Sequence, residues 1–207
     1  MTGSIKLADA ADADLDLDGP VFINGSVTIN TDNTTNDGTI HFESTLDGAD
    51  GTGDNLIITA GDTAAGASLT IATSIGDTTP LTTLQINESA GTLALTIPQV
   101  GGSAAAGVTG QVDIGNANTA SISMGAAEYD FGSGNVTLTG NTTFTGATPT
   151  VDMINASGDG GDFTITGTLT LNNGLLDVNT KGGNIGITGN ITSAGVDEAL
   201  TLDDGTG

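Results

Sequence analysis

The residues best able to do chemistry in this chain are acidic, and they gather in three short stretches. In "DGADGTGD", Asp47, Asp50 and Asp54 alternate with glycines. Such a loop is tight enough to turn carboxylates and backbone carbonyls toward one point. Calcium takes about six to eight oxygen ligands, so these three residues are the candidate metal site and calcium the candidate cofactor. The stretch lacks the distal Glu of an EF-hand. It also departs from the nonapeptide calcium repeat, because Asp54 follows Gly53 directly. The competing reading is an acidic turn.

In "DAADADLDLDG", Asp12, Asp14, Asp16 and Asp18 alternate with Ala13, Leu15 and Leu17. Drawn as a strand, this places four carboxylates on one face and apolar side chains on the other. Carboxylates in a row repel, and cations, a basic partner surface or exposure at a sheet edge would relieve them. Asp159 and Asp162 in "GDGGD" read as a turn. His41 stands alone in "TIHFES". With no Cys and no second His, it is not expected to be a transition-metal site, and alternation puts it outward between Ile40 and Phe42. Lys181 reads as a turn residue or as half of a contact with an acidic neighbour.

No catalytic set emerges from these residues, and a non-enzymatic protein is expected. A polysaccharide lyase needs a basic side chain beside its metal, yet Lys6 and Lys181 are the only cationic side chains besides His41. A glycoside hydrolase needs paired carboxylates, one with a raised pKa. Carboxylates abound here, but the chain has one Tyr (Tyr129) and no Trp for stacking sugars.

The 25 acidic residues give a net charge of -23. That balance excludes the phosphate-neutralising footprint of a nucleic-acid-binding protein and disfavours anionic membrane surfaces. No stretch approaches the roughly 18 apolar residues of a membrane span. The absence of Cys removes any disulfide framework. The opening "MTGSIKLADAADADLDLDG" has no apolar core of a secretory signal. Export would then follow removal of a signal, a position within a longer chain, or another route.

The elements that must position these groups are strands. "VFINGSVTINT", "NLIITAG", "TLQINES", "NVTLTGNTTFTG" and "DFTITGTLTLNN" alternate apolar residues with Thr, Ser or Asn and end in Gly, Asn or Asp. Helix patterns are nearly absent. "GNVTLTGNTTFTG" (134–146) returns as "GNIGITGNITSAG" (183–195), and "GDFTITG" shares the template. The copies open at Gly134, Gly161 and Gly183, so Val136, Phe163 and Ile185 take one inward place, and Leu138, Ile165 and Ile187 the next. Repeats of roughly 20 to 30 residues built of strands alone predict a right-handed parallel β-helix, a β-solenoid. At about 22 residues per coil the chain would form about nine coils, a rod about 45 Å long.

In the first half, Leu56, Leu69, Leu84 and Leu95 open successive strands, and two of those steps make one coil. "LDGADGTGD" and "VGGSAAAGVTG" read as loops leaving the coil. Residues 1–20 form an acidic N-terminal segment or first coil, and 21–207 the solenoid domain. The template pairs Asn135, Asp162 and Asn184, and separately Asn141 and Asn190, as polar ladders along the axis. An antiparallel β-sandwich is the alternative, with Asn24–Gly25 and Asn173–Gly174 at hairpin tips.

Segments such as "GNVTLTGNTTFTG", "GDFTITGTLTLNNG" and "ASLTIATSIGDTTPLTTLQI" resemble the degenerate repeats of large bacterial exoproteins, the filamentous-haemagglutinin-like adhesins and autotransporter passengers. The resemblance covers roughly Val21 to Leu202 and carries no catalytic residue. It implies a right-handed parallel β-helix, secretion to the cell surface or beyond, and a role in adhesion or surface layers. The chain lacks the N-terminal secretion domain and membrane barrel found in that family.

Neither end carries an amphipathic capping helix, and "ALTLDDGTG" reads as a coil in progress. The expected partners are neighbouring copies in a filament or more of the same polypeptide, with glycans as candidate ligands of an adhesin segment. Nucleic acid and membrane insertion are not expected.

Overall fold

The computed structural model describes residues 1–6, 14–33, 37–60, 69–71, 73–88, 94–102, 105–153, 160–172 and 174–205. Asp12, Asp159 and Asn173 lie outside them. The described residues contain strands and no helix, so no helix is long and apolar enough to cross a membrane.

The strands repeat in sets of three. The first face stacks β1 (Gly3–Lys6), β4 (Ser26–Asn30), β7 (Asn55–Ala60), β10 (Thr83–Glu88), β13 (Val112–Ile114), β16 (Val136–Thr139), β19 (Phe163–Thr166) and β22 (Ile185–Ile187). The second holds β2 (Leu15–Leu17), β5 (Ile40–Phe42) and β8 (Leu69–Ile71), then β11 (Ala94–Ile97), β14 (Ser121–Met124), β17 (Asn141–Phe144), β20 (Leu169–Leu171) and β23 (Ile191–Ser193). The third holds β3 (Val21–Ile23), β6 (Leu46–Gly48), β9 (Ser74–Ile75), β12 (Gln99–Val100), β15 (Glu128–Phe131), β18 (Thr150–Met153), β21 (Leu175–Asn179) and β24 (Ala199–Asp203).

Each strand pairs in parallel with its equivalent one coil away, which makes a three-sided parallel β-solenoid and replaces the sandwich alternative. Asn24–Gly25 forms a corner between β3 and β4, where Gly25 takes a left-handed φ of 75°.

The core follows from the period of two. Inward residues stack in columns: Val27, Leu56, Leu84, Val112, Val136, Phe163 and Ile185 in one, and Ile29, Ile58, Ile86, Ile114, Leu138, Ile165 and Ile187 in its neighbour. All are buried except Ile185 and Ile187 in the last coil, which are half-buried. Each aliphatic row shields the next from water, so the hydrophobic gain accrues along the axis.

The coil count is lower than the sequence spacing suggests. Gly3 to Ile185 spans seven full turns in register, with steps of 24, 29, 28, 28, 24, 27 and 22 residues. The last step matches the value on which nine coils rested; the others are longer because corner loops absorb extra residues. The corner after the third face varies most, from Asn24–Gly25 to the stretch 101–111.

Candidate functional site

The acidic loop 47–54 occupies that variable corner, and its carboxylates bind backbone. Asp54 is buried. Its Oδ1 accepts the Gly25 N–H at 2.9 Å, and its Oδ2 accepts the N–H groups of Gly51 at 2.9 Å and Asp50 at 3.1 Å. Burial alone would raise its pKa, but these donors together with Ala49 N–H hold it below the ordinary carboxylate value. Thr82 completes the link to the next coil, its hydroxyl accepting from Asp54 N–H and its N–H donating to Asp54 O. Asp47, also buried, accepts the N–H groups of Thr78 and Thr79 through Oδ1. Asp50 is exposed and accepts from Thr52 N–H, closing a local turn.

Two of the three predicted calcium ligands therefore join corner loops of successive coils. Their ligand atoms do not form one of the close groups that could hold an ion; among the described residues that grouping belongs to Asp16, His41 and Glu43.

The twinned Gly-Asn has a mechanical explanation. Gly134, Gly161 and Gly183 stack at one corner: a Cβ on Gly161 would lie 2.1 Å from Gly134 O, and one on Gly183 would lie 2.1 Å from Gly161 O. Only glycine allows the coils to approach that closely. The next residue forms the ladder. Asn135 Oδ1 accepts from Asp162 N–H at 3.0 Å, and Asp162 Oδ1 accepts from Asn184 N–H at 2.8 Å and from its Nδ2 at 3.0 Å.

The same place continues into the first half, where sequence reading had not found it. Asn55 Nδ2 donates to Ser26 Oγ at 3.1 Å, and Thr83 Oγ1 donates to Asn55 Oδ1 at 2.8 Å. The second expected ladder differs: Asn141 Oδ1 accepts from Thr168 N–H, one coil on, and Asn190 contributes its backbone carbonyl to Leu169 N–H.

The other predicted residues fall on the surface or in the core. Asp14, Asp16 and Asp18 are exposed while Leu15 and Leu17 pack toward the interior, as alternation requires. Asp14 Oδ1 accepts the Thr39 N–H at 2.8 Å, which lowers its pKa. His41 faces outward between buried Ile40 and Phe42, directly opposite Asp16. Lys181 sits exposed in a turn with φ 56°, and its charge acts on Asp152. Tyr129 is buried: its hydroxyl accepts from Ala126 N–H and donates to Ile97 O, its ring meets Phe144 edge-on at 6.0 Å, and burial raises its pKa to about 12. Its ring is a core element with no free face for a sugar.

One acidic group escaped the sequence reading. Asp130 on β15 pairs in register with Asp152 on β18, and Glu128 lies two residues away. Asp130 is 1% exposed, and its Oδ2 has no hydrogen-bond partner. Gly107 and Gly101 lie against it: Gly107 N–H donates to Asp130 O, and a Cβ on Gly101 would lie 2.8 Å from Asp130 Cβ. Burial first, then the Glu128 charge and a hydrogen bond with Glu128, then the Asp152 charge, raise the Asp130 pKa to about 7. Asp152 is also raised, chiefly by burial, against the opposing pull of Lys181. The signal available in the sequence was two acids at outward places, one coil apart. It becomes visible only once the register is known.

The fold and these contacts define a three-sided β-solenoid many of whose polar side chains bind coil to coil. No family model, curated protein or solved structure matches the chain.

Proposed function

We propose that this chain is a non-enzymatic structural element of an extended bacterial surface fibre, sheath or large adhesin. In this reading its solenoid continues end to end into further coils. The observation that carries it is the open last coil. On β23, Leu169 N–H donates to Asn190 O and Ala194 N–H to Leu171 O, so the backbone groups of Ile191 and Ser193 face away from β20. Ile191 is 51% exposed, Leu202 47% and Val196 88%. A free parallel edge flanked by uncovered aliphatic side chains is a template for another strand.

The polar chemistry supports the same reading, because Asp47, Asp54, Asn135 and Asp162 are engaged by neighbouring coils. The resemblance to exoprotein repeats and the acidic, cysteine-free composition favour a fibre that works outside the cell.

Ser193→Pro tests the open edge. It removes an N–H that points away from β20, so circular dichroism should remain that of a β-solenoid. Sedimentation and electron microscopy should show end-to-end oligomers or filaments of the parent that this variant abolishes. A parent chain that stays monomeric at every concentration would refute self-association, and identical oligomers in the variant would refute this edge.

A further inference from the structure

We infer that the outer surface of the second face carries a divalent transition-metal site made of Asp16, His41 and Glu43. Register places Asp16 on β2 directly across from His41 on β5, and Glu43 follows two residues after the imidazole. Leu15, Leu17, Ile40 and Phe42 turn inward, which obliges Asp16 and His41 to project outward side by side. His41 Nδ1 lies 3.4 Å from Asp16 Oδ1 and 3.8 Å from Glu43 Oε1. One ligand atom from each residue lies within 4.8 Å of the other two.

These separations suit a metal. Ligands held at about 2.0 to 2.1 Å on a tetrahedral centre stand about 3.4 Å apart. One imidazole with two carboxylates, and water at the remaining position, is a borderline-hard set suited to zinc or cobalt more than to calcium. The sequence could not show it, because the carboxylate that completes the set sits 25 residues before the imidazole. The ion would join two coils at β2, the outermost strand of its sheet, and so tie down the first coil.

The test is titration of zinc into the full chain, with about 1 mM magnesium present to occupy unspecific carboxylates, and cobalt as an optical probe. One zinc per chain is expected, with affinity falling at least tenfold in His41→Ala and in Asp16→Asn. Cobalt should give the intense visible bands of a tetrahedral centre in the parent and lose them in His41→Ala. Zinc should raise the melting midpoint of the parent but not of His41→Ala. His41 is partly exposed, so this variant should keep the parent's circular dichroism. Zinc binding of equal affinity and stoichiometry in parent and His41→Ala would overturn the site, leaving unspecific carboxylate binding. A weak octahedral cobalt spectrum in the parent would overturn it too.

Discussion

Asp130 makes the stability of this solenoid fall as pH rises through the neutral range. Its carboxyl is buried, stacked on Asp152 and close to the Glu128 charge, and its pKa is raised to about 7 from an ordinary 3.8. Between those two values the folded chain holds a proton that the unfolded chain has released. A state that binds more protons is favoured by acid, so the contribution is fully present below about pH 4 and is lost as pH climbs to about 7. Each pH unit is worth roughly 1.4 kcal/mol, which gives an upper limit of about 4 kcal/mol for the whole interval.

Asp130→Asn keeps the shape and cannot ionise. Relative to the parent it should gain up to about 2.7 kcal/mol on going from pH 5 to pH 8. Comparing each protein with itself at two pH values cancels the cost of fitting the amide. Solenoids can unfold in segments, so the probe must be local. Tyr129 is the only tyrosine and the chain has no tryptophan, so tyrosine fluorescence in a urea titration reports the residue beside Asp130. A shallower slope should persist in the variant, because Asp152 is also raised. Parent midpoints that do not fall between pH 5 and pH 8, or parallel pH profiles for the two proteins, would refute the reasoning.

Gly161→Ala places a Cβ 2.1 Å from the backbone oxygen of Gly134 and should cost about 3 kcal/mol or more in urea unfolding. Gly186→Ala meets nothing nearer than 3.6 Å on an outward strand position and should stabilise by about 0.5 to 1 kcal/mol. Asp54→Ala strips acceptors from the N–H groups of Gly25, Asp50 and Gly51 and should cost about 3 kcal/mol or more by the same titration. Because that carboxylate already receives backbone donors, a calcium chelator should leave the melting midpoint unchanged; a rise of several degrees with millimolar calcium would instead support an ion at Asp47, Asp50 and Asp54. Thr150 stands between Glu128 and Asp177 in register. Thr150→Asp should destabilise by about 1 kcal/mol at low salt and recover in concentrated salt, whereas Thr164→Asp, between Thr137 and Gly186, should show no such salt dependence.

The parts legible in the sequence are those set by short periods. Alternation in "NVTLTG", "DFTITG" and "NIGITG" placed Val136, Phe163 and Ile185 inward, and they stack as one column. The shared Gly-Asn opening marked the corner where backbones touch and amides bond. Coil number was less legible, because loops such as 101–111 lengthen a coil without altering the register of its strands. Acidic loop chemistry was ambiguous for a related reason. A carboxylate among glycines can turn toward a cation or toward backbone N–H groups, and several of the donors that meet Asp54 and Asp47 come from other coils, at Gly25, Thr78 and Thr79. Asp130 with Asp152, and Asp16 with His41, depend wholly on register between segments more than 20 residues apart.

A chain with 25 acids and two lysines can build a stack of similar layers only by controlling which residue stacks on each acid along the axis. In-register strands bring equivalent side chains to about 5 Å from one another. Asp113 lies between Gln85 and Thr137. Glu128, Thr150, Asp177 and Thr201 alternate acid with neutral. Asp162 lies between Asn135 and Asn184, both of which hydrogen-bond with it. Asp16 meets His41. Among the described strand pairs, Asp130 on Asp152 is the one place where two acids are stacked directly, and it is there that both carboxyl groups have raised pKa values. The alternation keeps acids from stacking directly on one another along the axis. Where it lapses, at Asp130 and Asp152, burial first and then neighbouring acidic charge raise both carboxyl groups.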